Sequence, residues 1–173
     1  MLAHLLARRR DGGAHTRIRN FYDDVAPRTP AERGALAKAP PCDDETRREL
    51  AIAHTEGGAT LNEQILKPAL NLRGIAGGNV GEKASNSIPS EARASIDFRL
   101  VPNQTPEHVQ QLVEQHVAKQ GFFIVREAPD VATRIDHRNV IRMQWGRGYQ
   151  EARTARGSSI ERQVMDIGGH GTA

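Results

Sequence analysis

The chain has 173 residues, of which 38% are hydrophobic and 26% are charged, a composition that suits one ordinary domain and excludes two large ones. Its formal net charge is +3, yet its 24 basic and 21 acidic residues are mixed along the sequence. Because nucleic-acid binding needs basic residues gathered on one face, this distribution argues against a nucleic-acid partner.

The first predicted element is a short helix from Leu2 to Arg10. Three leucines in the first six residues have the spacing i, i+3, i+4. Arg8–Arg10 follow at the end where the helix dipole favours cations, and Gly12-Gly13 stops the helix. A helix that begins at residue 1 without a cap has two open explanations, a chain cut from a longer one or a frayed N-terminus.

Residues 15–68 are predicted to form an insertion of short helices and loops. Thr29-Pro30-Ala31-Glu32 has the spacing of a capping box, with proline at the first helical position. Asp43-Asp44-Glu45 places acidic residues at the front of a second helical run that continues to Ala53.

From Leu70 onward the sequence pattern predicts strands. The run from Leu70 to Ile75 alternates, a glycine-rich connection follows, and the stretch from Asn86 to Arg99 then alternates between apolar and polar residues. This pattern predicts a strand with one solvent-exposed (wet) face and one buried (dry) face. The predicted dry face comprises Ala92, Ala94, Ile96, Phe98 and Leu100.

A second long helix and further strands complete the predicted elements. Thr105 is the expected cap and Pro106 the first residue of a helix with one apolar stripe, on which His116 is a half-buried packing residue. Strands are predicted at 122–126 and, more weakly, at 140–145. Helices on one face of an antiparallel sheet define an α+β fold.

No catalytic constellation is evident in the sequence. Gly77–Lys83 lacks the lysine and the following helix of a phosphate loop, and the histidines show no short metal-ligand spacing. Cys42, the only cysteine, has no identifiable base and excludes an intrachain disulfide. The pairs Asp23-Asp24 and Asp43-Asp44 favour turn and cap roles. With no run of about 20 apolar residues and no signal peptide, the sequence predicts a cytoplasmic protein without a membrane partner.

Two side chains suited to an anion remain, Asn86 and Arg99. Each has an ordinary explanation, Asn86 as a turn residue and Arg99 as a charge on a wet strand face. They are 13 positions apart, which corresponds to ~40 Å if the segment is fully extended. The two ends would then be too far apart to touch one small peptide in a single site.

Several motifs in order resemble the dimerisation, or lid, domain of the di-zinc metallopeptidases that include carnosinase, aminoacylase, acetylornithine deacetylase and succinyl-diaminopimelate desuccinylase. The resemblance covers about residues 1–125 and is strongest over 70–122. The motifs are Phe21-Tyr-Asp-Asp-Val25, Leu70-Asn-Leu-Arg-Gly-Ile-Ala-Gly-Gly78, Asn86-Ser-Ile-Pro89, Ile96-Asp-Phe-Arg-Leu-Val-Pro102, Gln104-Thr-Pro106 and Gly121-Phe122.

The resemblance implies a ferredoxin-like βαββαβ two-layer lid whose first strand is missing, with 1–137 as a partial lid and 69–128 as its core. Residues 138–173 would be a truncated return segment toward the catalytic domain. It further implies a homodimer formed through the lid sheet and helix, with the strand at 70–77 at the interface. Asn86 would hold the substrate or its oxyanion, and Arg99 would bind the substrate carboxylate, the two serving different active sites of the dimer.

The motifs of the family that hold two zinc ions in the parent enzymes are not found in this sequence. The family's lid histidine would lie before Met1, whereas Gly148-Tyr-Gln-Glu-Ala-Arg-Thr154 and Gly168-Gly-His-Gly171 resemble the return into the catalytic domain. The leading hypothesis is therefore a dimerisation and substrate-clamping domain, inactive alone, with no catalytic or metal-binding residue of its own. The alternatives are an active zinc dipeptidase or N-acyl-amino-acid deacylase once the catalytic domain is present, and a basic binding module.

Overall fold

The computed structural model describes residues 1–8, 15–40, 42–54 and 59–148. Its helices, α1 to α6 in chain order, are Leu2–Ala7, Pro30–Lys38, Asp43–Glu49, Leu61–Gln64, Pro106–Lys119 and Val131–Asp136. Its strands, β1 to β4, are Ala69–Ala76, Arg93–Arg99, Phe123–Val125 and Val140–Arg142. Among the described helices, none has the length and apolar character needed to cross a membrane.

Several sequence predictions fall on residues outside those ranges. They are the end of the first helix at Arg9–Arg10, its glycine stop at Gly12-Gly13, the return segment from Tyr149 onward and the Gly168–Gly171 motif.

Both predicted helix caps are present. Thr29 accepts a hydrogen bond from the backbone N–H of Glu32, and the Glu32 carboxylate accepts one from the Thr29 N–H at 2.8 Å, which completes the capping box of α2. At the start of α5, Thr105 Oγ1 accepts from the His108 N–H at 3.2 Å, with Pro106 in the first turn. These local bonds satisfy N–H groups that a helix leaves unpaired at its start, so the boundaries follow from the sequence.

Strands β1 and β2 form an antiparallel hairpin with one irregularity. Leu72 lies opposite Ile96, but Gly74 lies opposite Ser95, so Arg73 is an extra residue in β1. This bulge shifts the alternation by one and leaves Ile75 opposite Ala94. Because residues directly opposite share a face, the bulge keeps the apolar residues of both strands on the same side of the hairpin.

One hydrophobic core lies between α5 and the base of the hairpin. The apolar stripe of α5 is buried as predicted, and His116 on that stripe is half-buried. Burial, together with the nearby charge of Lys119, lowers the pKa of His116. The buried residues of the core are Leu5, Ile18, Phe21, Leu70, Val109, Leu112, Val113 and Val117.

The start of the predicted insertion, residues 15–68, contributes buried side chains to this core. Ile18 and Phe21 are 5% and 1% exposed. Gln104 fixes the turn that carries them, because its side-chain N–H donates to the Phe21 carbonyl at 2.7 Å and its carbonyl accepts from the Val101 N–H. The later part, with α2, α3 and α4, contributes no fully buried side chain from those helices.

The strand predicted from Asn86 is shorter in the structure and begins at Arg93. Its partner β1 ends at Ala76, so no backbone groups remain to pair with the residues before Ala92. Pro89 also lacks an N–H for a ladder. The estimate of ~40 Å for a fully extended segment therefore does not apply, since β2 itself spans only ~20 Å at the strand rise per residue.

A parallel unit follows α5 and was recognised only in part from the sequence. β3 pairs with β4 in parallel, Phe123 opposite Val140, and α6 forms the crossover between them. The sequence pattern gave no helix here, although Asp130 caps α6 by accepting from the Thr133 N–H at 2.8 Å. In the described residues the strands form two separate sheets, β1 with β2 and β3 with β4.

Glu114 of α5 ties the later elements to the core. Its two carboxylate oxygens accept hydrogen bonds of 2.7 Å from Arg126 and from the indole N–H of Trp145. The Trp145 ring in turn lies 6.2 Å from the ring of Phe98 in β2. The bond from Arg126, and to a smaller extent that from Trp145, holds the pKa of Glu114 below its usual value, against the opposing effect of burial.

We expect the Glu114 carboxylate to make the free energy of unfolding depend on pH in the acidic range. Because the pKa of Glu114 is lower in the folded chain than in the unfolded chain, its contribution is fully present above the unfolded value of about 4.3 and is lost as the pH falls through the folded value. Urea unfolding followed by Trp145 fluorescence at pH 7 and pH 3 measures this loss. Glu114→Gln should lower stability at pH 7 and flatten the acid dependence, and an unchanged slope would contradict it. The matched control is Glu107→Gln.

Candidate functional site

Asn86 lies in the hairpin connection, residues 77–92, which joins β1 to β2. Every residue from 77 to 92 is exposed, and the connection contains one short 3-10 turn at Gly81–Lys83. Gly78 and Gly81 have φ values of 64° and 63°, which only glycine adopts without strain. A loop of this length that is not buried is a common place for binding residues.

Arg99 is the last residue of β2, at the end of the hairpin next to the core. Its side chain is 74% exposed, and its Nε donates to Asp97 Oδ2 at 2.9 Å. Across the hairpin Arg99 faces Ala69, and Asp97 faces Asn71. Because residues two apart on a strand share a face, these four residues lie on one face of the hairpin, with Ala69 the one apolar member.

The structure places the two predicted site residues at different ends of the hairpin. Gly77 lies so close to Ala92 that a Cβ on Gly77 would be 3.0 Å from the Ala92 Cβ, which closes the hairpin at the end opposite Arg99. Asn86 belongs to the connection beyond that closure. The sequence pattern did not single out Asp97, although its spacing of two from Arg99 on a strand was a readable signal.

The opposite side of the hairpin is apolar and uncovered over its outer half. Close to the core, Leu70 is 3% exposed, but Ile96 is 37% and Ile75 is 62% exposed. The predicted dry face is therefore wrong for its outer half, because the core packs only against the hairpin base. We call the exposed part the apolar hairpin face; its members are Leu72, Ile75, Ala94 and Ile96.

The acidic pairs make structural contacts that reach beyond the turn and cap roles predicted for their own segments, and α3 has no side-chain cap. Asp24 Oδ2 lies 3.1 Å from Nε2 of His108 and links the turn after Asn20 to the first turn of α5. Asp43 Oδ1 accepts from the Leu61 N–H at 2.8 Å. Within the described residues, no three His, Cys, Asp or Glu side chains form a group that could hold a metal ion, so these residues do not fit a zinc centre.

Comparison with known protein families gives a match over most of the chain. A family model for a peptidase dimerisation domain matches residues 3–122. This range contains the whole hairpin and α5, and it agrees with the resemblance found in the sequence over about residues 1–125. The resemblance is thereby confirmed.

Individual relatives and solved structures agree with the match to the family model. The Cys-Gly metallodipeptidase of Schizosaccharomyces pombe is 38% identical over 109 residues, which cover 59% of this chain and 22% of that protein. A metallo-carboxypeptidase from Sulfolobus solfataricus has a TM-score of 0.63 and 32% identity, covering 69% of this chain and 28% of that one. Human carnosine dipeptidase 1 has a TM-score of 0.60 and covers 68% of this chain and 26% of its own, and its 24% identity supports the fold alone.

These likenesses confirm the predicted α+β architecture of a lid domain. The chain spans only about a quarter of the length of these relatives, 22%, 28% and 26% of them respectively. All three are named as peptidases, two of them as metallopeptidases, and residues 3–122 of this chain match the dimerisation domain.

Proposed function

Because this chain belongs to the peptidase dimerisation domain family, we propose that it pairs two subunits of a zinc-dependent peptidase and clamps the carboxylate of a peptide or N-acyl amino acid. The observation that carries the clamp is Arg99, a cation that is 74% exposed at the edge of an ordered strand. Pairing with β1 fixes the backbone of Arg99, and the planar donors of its guanidinium match a carboxylate.

The proposed pairing is a homodimer through the hairpin. The apolar hairpin face exposes Ile75 and Ile96, and β1 has a strand partner on one edge only among the described residues. An uncovered apolar face beside a free strand edge is unfavourable in a monomer and is well suited to a second copy. Dimer formation is what the family name describes, and the choice of this face belongs to the proposal.

Asn86 is proposed to reach a different active site from the one that Arg99 serves. The support is their separation, with Asn86 in the exposed connection and Arg99 at the hairpin base. An amide side chain donates hydrogen bonds that suit a developing oxyanion. The parent enzyme would hold two zinc ions in residues outside this chain, and the cytoplasm remains the proposed location, in keeping with the single cysteine.

The clamp is tested in a protein that joins this chain to a complete catalytic domain. Arg99→Ala should raise KM for an N-acyl amino acid or dipeptide by about 10-fold to 100-fold, because a charge-assisted bidentate pair is lost. The matched control is Arg93→Ala, an arginine on the same face of β2 that already pairs with Glu91 at 2.6 Å. Equal kinetics for Arg99→Ala and the parent would contradict the assignment.

The chain alone is proposed to lack hydrolase activity, in agreement with its match to the dimerisation part of longer enzymes. Incubation of the 173-residue chain with zinc and a dipeptide, or with an N-acyl amino acid, should release no amino acid above the zinc-only blank. Zinc-dependent turnover that is abolished by a chelator would overturn this part of the proposal and favour an active peptidase.

A further inference from the structure

We propose that Asp97 is a positioning and specificity residue for Arg99, which turns the terminal guanidinium nitrogens toward a monocarboxylate and disfavours ligands that carry a second carboxylate. This inference rests on the proposed role of Arg99 as a carboxylate clamp and adds the class of carboxylate that the clamp accepts.

The first step is the geometry of the Arg99 guanidinium. A guanidinium has five N–H donors, one on Nε and four on the two terminal nitrogens. Asp97 Oδ2 accepts from Nε at 2.9 Å. With Nε engaged, the edge that carries both terminal nitrogens is the one left for a ligand, and this edge makes two parallel hydrogen bonds to a carboxylate.

Arg93 gives an internal comparison on the same face of β2. Its partner Glu91, also two residues away, accepts from a terminal nitrogen, Nη2, at 2.6 Å. One terminal nitrogen of Arg93 is therefore already engaged by its own partner. The two arginines have the same sequence spacing to their acids, but the bond of Arg99 to Asp97 uses Nε, whereas that of Arg93 to Glu91 uses a terminal nitrogen.

The second step is the space and charge around the pair. Ala69 opposite Arg99 and Asn71 opposite Asp97 are small or neutral, so β1 adds no charge at these two positions. Asp97 is less accessible than its partner, with a side chain 33% exposed against 74% for Arg99. The acid therefore lies closer to the strand while the cation projects into solvent.

The third step is the effect of the Asp97 charge on the ligand. One carboxylate bound end-on to Arg99 gains its hydrogen bonds, but a second carboxylate placed about 5 Å from Asp97 meets a like charge. In an exposed setting this repulsion corresponds to about a fivefold preference for the monocarboxylate.

The test uses nitrogen-15 side-chain NMR of the 173-residue chain with two probes, N-acetylglycine and N-acetylaspartate. We expect N-acetylglycine to shift the terminal-nitrogen signals of Arg99 and to leave its Nε–H protected from exchange, with about fivefold weaker binding of N-acetylaspartate. Asp97→Asn should equalise the two affinities, and Asp97→Ala should also remove the protection of Nε–H. Glu91→Gln is the matched control and should leave Arg99 unchanged.

The possible failures are distinguishable. If N-acetylglycine binds in the parent chain, and binding is lost in Arg99→Gln, but Asp97→Asn leaves the preference unchanged, the clamp stands and the role of Asp97 is wrong. If neither probe perturbs Arg99, either in the 173-residue chain or in the protein that joins it to a complete catalytic domain, the proposed clamp itself is wrong and the role of Asp97 falls with it. An Nε–H that exchanges freely in the parent chain would overturn the positioning geometry directly.

Discussion

Replacing Phe21 with alanine is expected to lower the free energy of unfolding by about 3–5 kcal/mol, the cost of truncating a fully buried aromatic side chain. Phe21 is 1% exposed, and its ring lies 5.2 Å from that of Tyr22 and 6.3 Å from that of Phe98. The cavity would open between the segment before α2 and the hairpin, next to the rings of Tyr22 and Phe98. Denaturant unfolding followed by Trp145 fluorescence measures the change.

A matched aromatic truncation separates burial from the loss of a ring. Phe123→Ala removes a side chain that is 43% exposed and stacks on His137 with ring centres 3.6 Å apart. Its expected cost is about 1 kcal/mol, because much of its surface is already in water. Equal losses in the two variants would show that the turn carrying Phe21 is not part of the core.

The burial of Phe21 illustrates which parts of the fold the sequence could not predict. Local signals specified the starts of α2 and α5 well, because a cap is a contact between residues three apart, as at Thr29 and Thr105, whereas α4 and α6 were not predicted. The apolar stripe of α5 was equally readable, since a helix of 3.6 residues per turn fixes which residues share a face. The burial of Phe21 depends on contacts with residues far along the chain, such as Gln104, which no local pattern encodes.

In the candidate site, too, the sequence predicted local features but not those that depend on contacts between distant residues. The alternation correctly predicted that Arg99 lies on the exposed face of the strand. It did not reveal where the partner strand ends, so the predicted strand began at Asn86, whereas the observed strand begins at Arg93. The dry face failed at Ile96 for a related reason, because alternation says which side chains share a face and not whether another element covers it. The bulge at Arg73 likewise depends on pairing between strands.

The uncovered face leads to the second large prediction. Ile75→Glu should weaken self-association of the chain by about 100-fold or more, because a carboxylate would have to be desolvated within an apolar contact between two copies. Ile75 is 62% exposed in the single chain, so the substitution should leave the fold of the monomer intact. Sedimentation equilibrium gives the dissociation constant, and circular dichroism checks the fold.

The control must add the same charge outside the apolar hairpin face. Val80→Glu does so, since Val80 is 87% exposed in the hairpin connection and lies beyond the paired part of β1. If both variants weaken association equally, net charge is the cause and not the face. If the parent chain is monomeric at every concentration, the homodimer through this hairpin is wrong. Loss of association in Ile75→Glu alone would mean that the exposed outer half of the hairpin is apolar because a second copy covers it.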